Sequence, residues 1–456
     1  MNLIETPWLL TEVGELTPLE ALRQASRFTW QRPDWNATSL CFLHALVQTA
    51  VVLIPDRCPD RDAWNQYRDA GPSELADWLA FDLGDRPWEC AEPSTREAET
   101  VPVAALLADS PGENTIKQAK DISRWKEEVP KVLSASEATI ALMSDNLWGT
   151  RIGSGHRQGA RGEQSLTTLL EPTSPDATLW QRVWLNVLPA DEWADLVARS
   201  DEPLAPFAFP WQQPLPTRDQ AVTPLTHHSL AILWQMPRRW YAVRGADGEV
   251  ESLHRIKNGR NYDGWELRHP LTPYWQGKDG NWFAAKVRPH TGFQDWAAIT
   301  LGHRAKSKPA PAVTAFLNAT SGVEALRLRC CGWALGDAGD AGVWVEHAVP
   351  FYAKTEEQVA ALEAAVFAVE RQLSKLETAI DAIGKTEMKA NLLKGLKRRA
   401  GDFYTVIEPA FFARAATDDW AEWPELLRKQ ARRLFWELVD DSRVDLIAAS
   451  KAARSI

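Results

Sequence analysis

The sequence predicts an α+β fold: a large mixed α/β N-terminal domain over residues 1–350, followed by a C-terminal antiparallel helical bundle over 351–456. Three observations predict it. Capped helices and short alternating strands are interleaved through most of the chain. From Thr355 onward the pattern becomes continuously helical. The 456 residues, 45% of them hydrophobic, suffice for more than one buried core.

The elements follow in order. Thr17-Pro18-Leu19-Glu20 is a capping box with proline at the first helical position. A long apolar helix is expected from about Thr38 to Ile54, and a third helix over Ser73 to Leu83. Cys90 to Gly112 has no clear period and reads as irregular. Ser134-Ala135-Ser136-Glu137 opens a helix that runs through Ile140, Leu142 and Met143 to Trp148, with Gly149 as its C-cap. Residues 164–170 (QSLTTLL) read as a strand and 177–188 (ATLWQRVWLNVL) as a helix, with Leu179, Val183 and Val187 on one face. Residues 200–226 form a proline-rich connection. Arg239 to Val243 and Glu249 to His254 flank Gly245-Ala246-Asp247-Gly248 as a hairpin, and Leu326 to Arg329 alternates Leu and Arg as a strand. After the capping box at Thr355, Val359, Leu362, Val366, Val369, Leu373, Leu376 and Ile380 recur at steps of three and four, an a/d seam that ends at Gly384. Met388, Leu392, Leu396 and Phe403 begin a second face, and Leu426, Leu427, Leu434 and Leu438 a third. Short connections make these neighbours antiparallel.

Composition narrows the function. The first residues, MNLIETPWLL, have no basic n-region and too short an apolar run for a secretory signal. The run SLCFLHALVQTAVVLI is broken by His44 and Gln48 and reads as a core helix, so a cytoplasmic protein without a membrane partner is expected. Cys41, Cys58, Cys90, Cys330 and Cys331 form no C-x-x-C pair and predict neither a disulfide framework nor structural zinc. The net charge of −10 counts against a stand-alone nucleic-acid binder but suits one with locally concentrated basic groups held in an assembly. The 23 tryptophans are expected to fill cores and interfaces.

No catalytic signature, metal set or cofactor motif is found. His227-His228 is the only histidine pair, and adjacent side chains diverge. Asp337 and Asp340 in GDAGDAG read as a glycine-rich turn, because the twelfth position of a calcium loop counted from Asp337 is Ala348. Five basic clusters stand out: Arg151/Arg157/Arg161, Arg255/Lys257/Arg260, Arg304/Lys306/Lys308, Lys394/Lys397/Arg398/Arg399 and Arg428/Lys429/Arg432/Arg433. The first two sit on glycine-bearing loops, where backbone can approach a ligand closely. The first of them lies in GTRIGSGHRQGARGE, Gly149 to Glu163, which follows a helix and lacks Lys-Ser/Thr. A phosphate-cradling loop precedes its helix, so that reading is set aside.

Several segments together resemble one family. NLIETPWLL with LTPLEALRQAS, RPWECAE, ENTIKQAKDISRW, the helix-loop-strand SASEATIALMSDNLWGTRIGSGHRQGARGEQSLTTLL, ATLWQRVWLNVL, ILWQMPRRWYAV, RHPLTPYW and LRLRCCGWALGDAGDAGVWVEHAVPFY occur in the order of the CasA family. CasA proteins are large subunits of the type I-E CRISPR complex called Cascade. The resemblance implies a non-catalytic subunit that finds the protospacer-adjacent motif (PAM) in double-stranded DNA, starts unwinding, and helps recruit the helicase-nuclease. Its partners would be the other Cascade subunits, CRISPR RNA and target DNA, with no cofactor.

The resemblance also implies site residues. The minor-groove glycine loop falls on Gly153, Ser154 and Gly155, with His156 and Arg157 beside it. The lysine finger falls on Lys257, with Arg260 as the second choice. The strand-splitting wedge falls on Asp337, Ala338, Gly339 and Asp340, a tip without the family's glutamine. Either another residue wedges the strands or the register differs. The family's paired cysteines are absent. Two alternatives remain: a large subunit of another type I subtype, or a metal-dependent nucleic-acid enzyme. Whether Arg157 and Arg161 hold DNA phosphates or shape the loop is left to the structure.

Overall fold

A computed structural model describes residues 2–94, 98–109, 130–148, 156–197, 206–213, 220–221, 227–257, 259–262, 268–288, 295–300, 306–319, 326–334, 342–352, 356–387, 390–440 and 446–456. The chain divides into two compact units. The first holds Met1–Pro289 and Pro309–Ala348, the second His290–Lys308 and Val349–Ile456. The short segment from His290 thus belongs to the second unit although no sequence period ties it there.

In the first unit, hairpin strands β1 (Leu9–Thr11) and β2 (Gly14–Leu16) lead into helix α1 (Pro18–Gln24). Both bonds of the expected capping box are made: Glu20 N donates to Thr17 Oγ1 at 3.3 Å and Thr17 N to Glu20 Oε2 at 2.9 Å. Helix α2 (Pro33–Leu53) starts five residues before the expected Thr38, because Pro33 at its first turn presets the backbone. Its length and composition would suit a membrane span, yet 83% of its most apolar window is buried inside the protein. The polar residues that interrupt it explain this. His44 Nε2 donates to Asn186 O at 2.9 Å, and Gln48 exchanges bonds with the backbone of Leu188, at 2.9 and 2.7 Å.

Helix α3 (Arg61–Ala70) ends at Gly71, at φ 79°, and the helix expected over Ser73–Leu83 is a six-residue three-ten helix, Pro72–Asp77. This short helix and the residues just after it bury Leu75, Trp78 and Leu79, and Leu83 further on is also inside. The irregular stretch from Cys90 contains strand β3 (Ala98–Pro102), which carries no period of its own and forms by pairing with a later strand. Helix α4 (Ala135–Trp148) opens on its Ser134/Glu137 box. Strand β4 (Thr167–Pro172) follows, then helix α5 (Leu179–Trp184). This helix is shorter than expected because the Asn186 amide turns back to bond both backbone groups of Leu170. Helix α6 (Ala190–Val197) and a two-residue strand β5 (Gln220–Ala221) come next.

The expected hairpin is β6 (Arg239–Arg244) with β7 (Val250–Ile256), with Trp240 opposite Arg255, and β3 adds antiparallel on the other edge of β7. Strand β8 (Arg260–Asn261) pairs parallel with β5, and β9 (Tyr274–Gln276) pairs antiparallel with β10 (Trp282–Ala284). In the second unit, helix α7 (Trp296–Thr300) precedes β11 (Ser307–Lys308). The chain then re-enters the first unit as helix α8 (Pro311–Ala319) and β12 (Leu326–Ala334), which pairs with β4. The Leu/Arg alternation of β12 is now explained. Leu326, Leu328 and Cys330 face the core, while Arg327 and Arg329 gather with Arg182 on the buried Glu171 carboxylate, at 3.0, 3.3 and 3.2 Å. Strand β13 (Val343–Phe351) completes this part.

The remaining helices of the second unit are α9 (Glu356–Glu387), α10 (Ala390–Ala400), α11 (Asp402–Thr417), α12 (Trp423–Asp440) and α13 (Leu446–Ala452). The expected seam of α9 buries Leu362, Val366, Val369, Leu376 and Ile380. The helix continues through Gly384, where the seam was expected to stop, to Glu387. Against α9 pack α10, α12 and α13, with Leu396, Leu427, Leu434, Phe435 and Leu438 buried. Trp296 closes the bundle's aromatic cluster against Phe411 and Phe412.

The tryptophans lie mostly in cores, each removing roughly 150–250 Å² from water, and many of their ring N–H groups are bonded. Trp148 Nε1 donates to Thr38 Oγ1 at 3.0 Å and Trp234 Nε1 to Thr49 Oγ1 at 2.8 Å. A buried polar joint lies where α4 meets β6. Asp145 accepts from Arg238 Nη1 and, at 2.8 Å, from Trp240 Nε1; Asn146 Oδ1 accepts from Arg238 N at 3.3 Å. Burial pushes the Asp145 carboxyl up from its ordinary pKa, and Arg238 offsets part of this.

Asp145→Asn leaves the Arg238 cation buried without its counter-charge and is expected to remove about 3–5 kcal/mol of stability in urea denaturation. The pair Asp145→Leu with Arg238→Met should recover most of that loss; a double variant as unstable as the single one would show that shape rather than charge decides here. A second expectation concerns pH. Burial lowers the His44 pKa to about 4 from 6.5. The unfolded chain therefore takes up the proton first. The stability from neutral His44 is fully present above pH 6.5 and is lost as pH falls toward 4, at up to ~1.4 kcal/mol per pH unit. Urea midpoints measured from about pH 4.5 to about 7.5 should show this slope, and His44→Gln should reduce it, leaving the part due to other histidines whose pKa burial lowers, such as His156.

Candidate nucleic-acid interface

The glycine-rich loop leaves the C-terminal end of α4. Gly153, Ser154 and Gly155 lie outside the described residues, as do Asp337, Ala338, Gly339 and Asp340 of the expected wedge and the segment ENTIKQAKDISRW. The second half of the loop, from His156, is described, and it is built into the protein.

Arg161 is 4% exposed. Its Nη1 donates to Thr167 Oγ1 at 2.8 Å and Thr272 Oγ1 at 3.0 Å, and its Nη2 to Leu147 O at 2.7 Å. The last bond satisfies a carbonyl at the C-terminal end of α4, where a cation also suits the helix dipole. The guanidinium stacks over the Trp148 ring at 5.4 Å. Arg161 therefore fastens the loop to the helix it has just left, and its burial withholds it from a duplex. The neighbouring residues add two clamps. Ala160 N donates to Gln235 Oε1 at 2.6 Å, and Arg238 Nε donates to Arg157 O at 3.4 Å. A Cβ at Gly159 would sit 2.1 Å from Gln235 Oε1, so a larger residue there would push the Gln235 amide out of its bond with Ala160.

Lys257 follows the last residue of β7 and is exposed, with no acidic partner for its ammonium among the described residues. Its carbonyl accepts from Arg239 Nη1 at 3.4 Å. Two residues on, Gly259 passes so close to the chain just before β6 that a Cβ would lie 2.2 Å from Pro237 O. The fold brings this strand end to the glycine loop. The charges of Arg255, Arg238 and Lys257 all reach the half-buried His156 imidazole, with Glu99 opposing them. Burial first, then these cations, lower the His156 pKa to about 4. The ring is thus neutral near pH 7 and offers one donor and one acceptor. Arg255 is itself paired with Glu99 at 2.7 Å.

Arg260, the second choice for the lysine finger, is placed differently. It is 2% exposed and faces inward. Among the described residues, each of the two basic clusters on glycine loops holds one buried arginine, Arg161 or Arg260, and at least one more accessible cation, Arg157 or Lys257. The bundle clusters behave as solvated faces where they are described: Lys397 pairs with Asp381 at 2.7 Å, and Arg428 with Glu425 and Arg433 with Glu437, both at 2.9 Å. The sequence reading missed Gln235, Arg238 and Arg239. The signal available for them was the basic pair of MPRRW immediately before a strand, which by itself does not tell a buried cation from an exposed one.

Gly159→Ala is expected to break the Ala160–Gln235 bond and lower the thermal midpoint, by the ~1–3 kcal/mol of a buried polar group left unsatisfied plus overlap strain. Gln235→Ala in the same chain should recover part of the shift, because it removes the atom the new methyl meets; no recovery would place the strain elsewhere.

Comparison with known proteins bears on this site and on the whole chain. The profile of the CRISPR-associated protein Cse1 family matches residues 2–440. Among solved structures, CasA of Thermus thermophilus is similar at 19% identity and a TM-score of 0.70, covering 100% of this chain and 98% of that one. Cse1 of Acidimicrobium ferrooxidans is similar at 17% identity and a TM-score of 0.67, covering 100% and 96%. A chain in a structure described as a CRISPR RNA-guided surveillance complex is similar at 16% identity and a TM-score of 0.71, covering 100% and 98%. At these identities the structural likeness is one of fold. No curated protein matches the chain significantly. The α+β architecture with a helical C-terminal region is the one found in the CasA structures, and with the profile spanning residues 2–440, the chain belongs to the CRISPR-associated protein Cse1 family.

Proposed function

We propose that the chain is the large, non-catalytic subunit of a type I-E CRISPR RNA-guided surveillance complex, Cascade, that acts in the cytoplasm and recognises the PAM in double-stranded DNA. Family membership and the fold shared with a chain of a surveillance complex support the assembly. One observation carries the DNA-reading role: the neutral His156 of the glycine loop lies within electrostatic reach of Arg255 and the exposed Lys257. A glycine loop brings backbone to the floor of a minor groove, where every base pair presents acceptors. A neutral imidazole supplies a donor there, and a cation at the groove edge meets phosphate.

In this reading Gly153, Ser154 and Gly155 enter the groove with His156 and Arg157 behind them, and Lys257 closes on the backbone. Because the minor-groove code is degenerate, several PAM sequences would be tolerated. Residues 337–340 serve as the wedge next to the PAM and start strand separation. The opened complex then recruits the helicase-nuclease, and the guide strand is CRISPR RNA held by the other subunits. A net charge of −10 fits a protein placed on DNA by its assembly rather than by its own field.

The test is binding of a PAM library by the reconstituted complex with and without this subunit. Lys257→Ala is expected to weaken PAM-duplex binding and reduce the salt slope, log K against log salt, by about one if one phosphate contact is lost. Gly155→Asp should weaken the same binding through repulsion in the groove. Both should leave binding of complementary single strands unchanged; an equal loss for single strands would refute groove reading.

A further inference from the structure

Arg260 is a buried cation with no acidic partner among the described residues. It is 2% exposed, fixed by the pairing of β8 with β5, and its Nη2 meets only Gln213 Oε1, at 3.4 Å. Its buried Nε has no hydrogen-bond acceptor. Among the described residues no carboxylate faces it. Burial lowers its pKa, but a guanidinium remains charged inside proteins. The other buried arginines are provided for: Arg238 has Asp145, and Arg161 has three oxygens. An uncompensated buried charge is costly, and Arg260 lines a small pocket of about 30 Å³.

The other pocket walls are poor in acceptors. Gln213 presents to Arg260 the oxygen it already uses. His228 Nδ1 accepts from Leu230 N at 3.2 Å, which leaves the ring proton on Nε2 as a donor. Phe207 packs edge-on against the His228 ring, 5.5 Å between centroids, and holds its plane. His227 and Tyr262 complete the lining; the Tyr262 hydroxyl accepts from Met236 N at 3.2 Å. The pocket thus joins a full positive charge, an imidazole donor and apolar walls, a lining matched to one small oxyanion.

We propose that this pocket binds a single phosphate group, held by the Arg260 guanidinium with His228 Nε2 as second donor. The site is independent of the PAM-reading loop and does not rest on the proposed function. The group comes either from free inorganic phosphate or from the terminal phosphate of a nucleic-acid strand.

The experiment titrates the full chain with inorganic phosphate at constant ionic strength, by calorimetry and phosphorus NMR. One saturable site per chain is expected. Arg260→Met should weaken it by about tenfold or more, the loss of a charge-assisted pair, and His228→Phe by several-fold. In phosphate-free buffer Arg260→Met should melt no lower than the native chain, because it removes an uncompensated cation; phosphate should then stabilise the native chain and not the variant. Displacement of phosphate by a 5′-phosphorylated oligonucleotide, and not by its unphosphorylated twin, assigns the site to a strand end. No displacement by either assigns it to the free anion. Absence of saturable phosphate binding to the native chain, or binding unchanged in Arg260→Met, overturns the proposal. If Arg260→Met does not fold, the native titration and His228→Phe decide: no saturable site, or a site unchanged in His228→Phe, overturns it.

Discussion

The arrangement of the candidate interface depends on the Asp145 carboxylate. It sits at the end of α4, collects Arg238 and Trp240 from the start of β6, and is flanked by Asn146, which accepts from the Arg238 backbone. This joins a helix end to a strand start in a place nearly free of water, where an ion pair is held by geometry rather than by screening ions. Both basic loops leave from this joint. The glycine loop continues α4, and Lys257 continues β7, the partner of β6. Their convergence on His156 follows from that one buried contact and the hairpin register.

Three buried arginines illustrate different ways of keeping a cation out of water. Arg238 is matched by a carboxylate. Arg161 is matched by two hydroxyls, a helix-end carbonyl and the face of Trp148, partial charges that together surround the guanidinium. Arg260 has one weak contact and an open pocket. The first two build structure around the loop, and the third lines a pocket. The same residue type thus ends in three different surroundings.

In the proposed DNA-reading role, a protein of net charge −10 needs its positive potential to be local. The exposed Lys257, within electrostatic reach of a half-buried neutral histidine, would give such a focus without a broad basic face. The bundle's cations, by contrast, are partly neutralised by carboxylates one helical turn away or on the neighbouring helix. Charge runs on helices and charge on tight loops therefore look alike as composition and differ in what they leave unpaired.

Local rules sufficed where the determining contacts are close in sequence. The capping boxes at Thr17 and Ser134, the hairpin around Gly245–Gly248 and the seam of α9 were legible in the sequence because each is decided within a few residues by backbone hydrogen bonding or helical period. The ordered set of short segments was likewise enough to point to the family that the profile over residues 2–440 bears out. Strand β3 was not legible, since its only periodicity is borrowed from β7. Nor was the length of α5, which is set by an amide bonded to a strand sixteen residues away. The fates of Arg161 and Arg260 were decided by tertiary structure alone. Whether a guanidinium meets water, a hydroxyl or an empty pocket depends on residues 111 and 47 positions distant, such as Thr272 and Gln213, and burial is a property of the packed chain that no local spacing encodes.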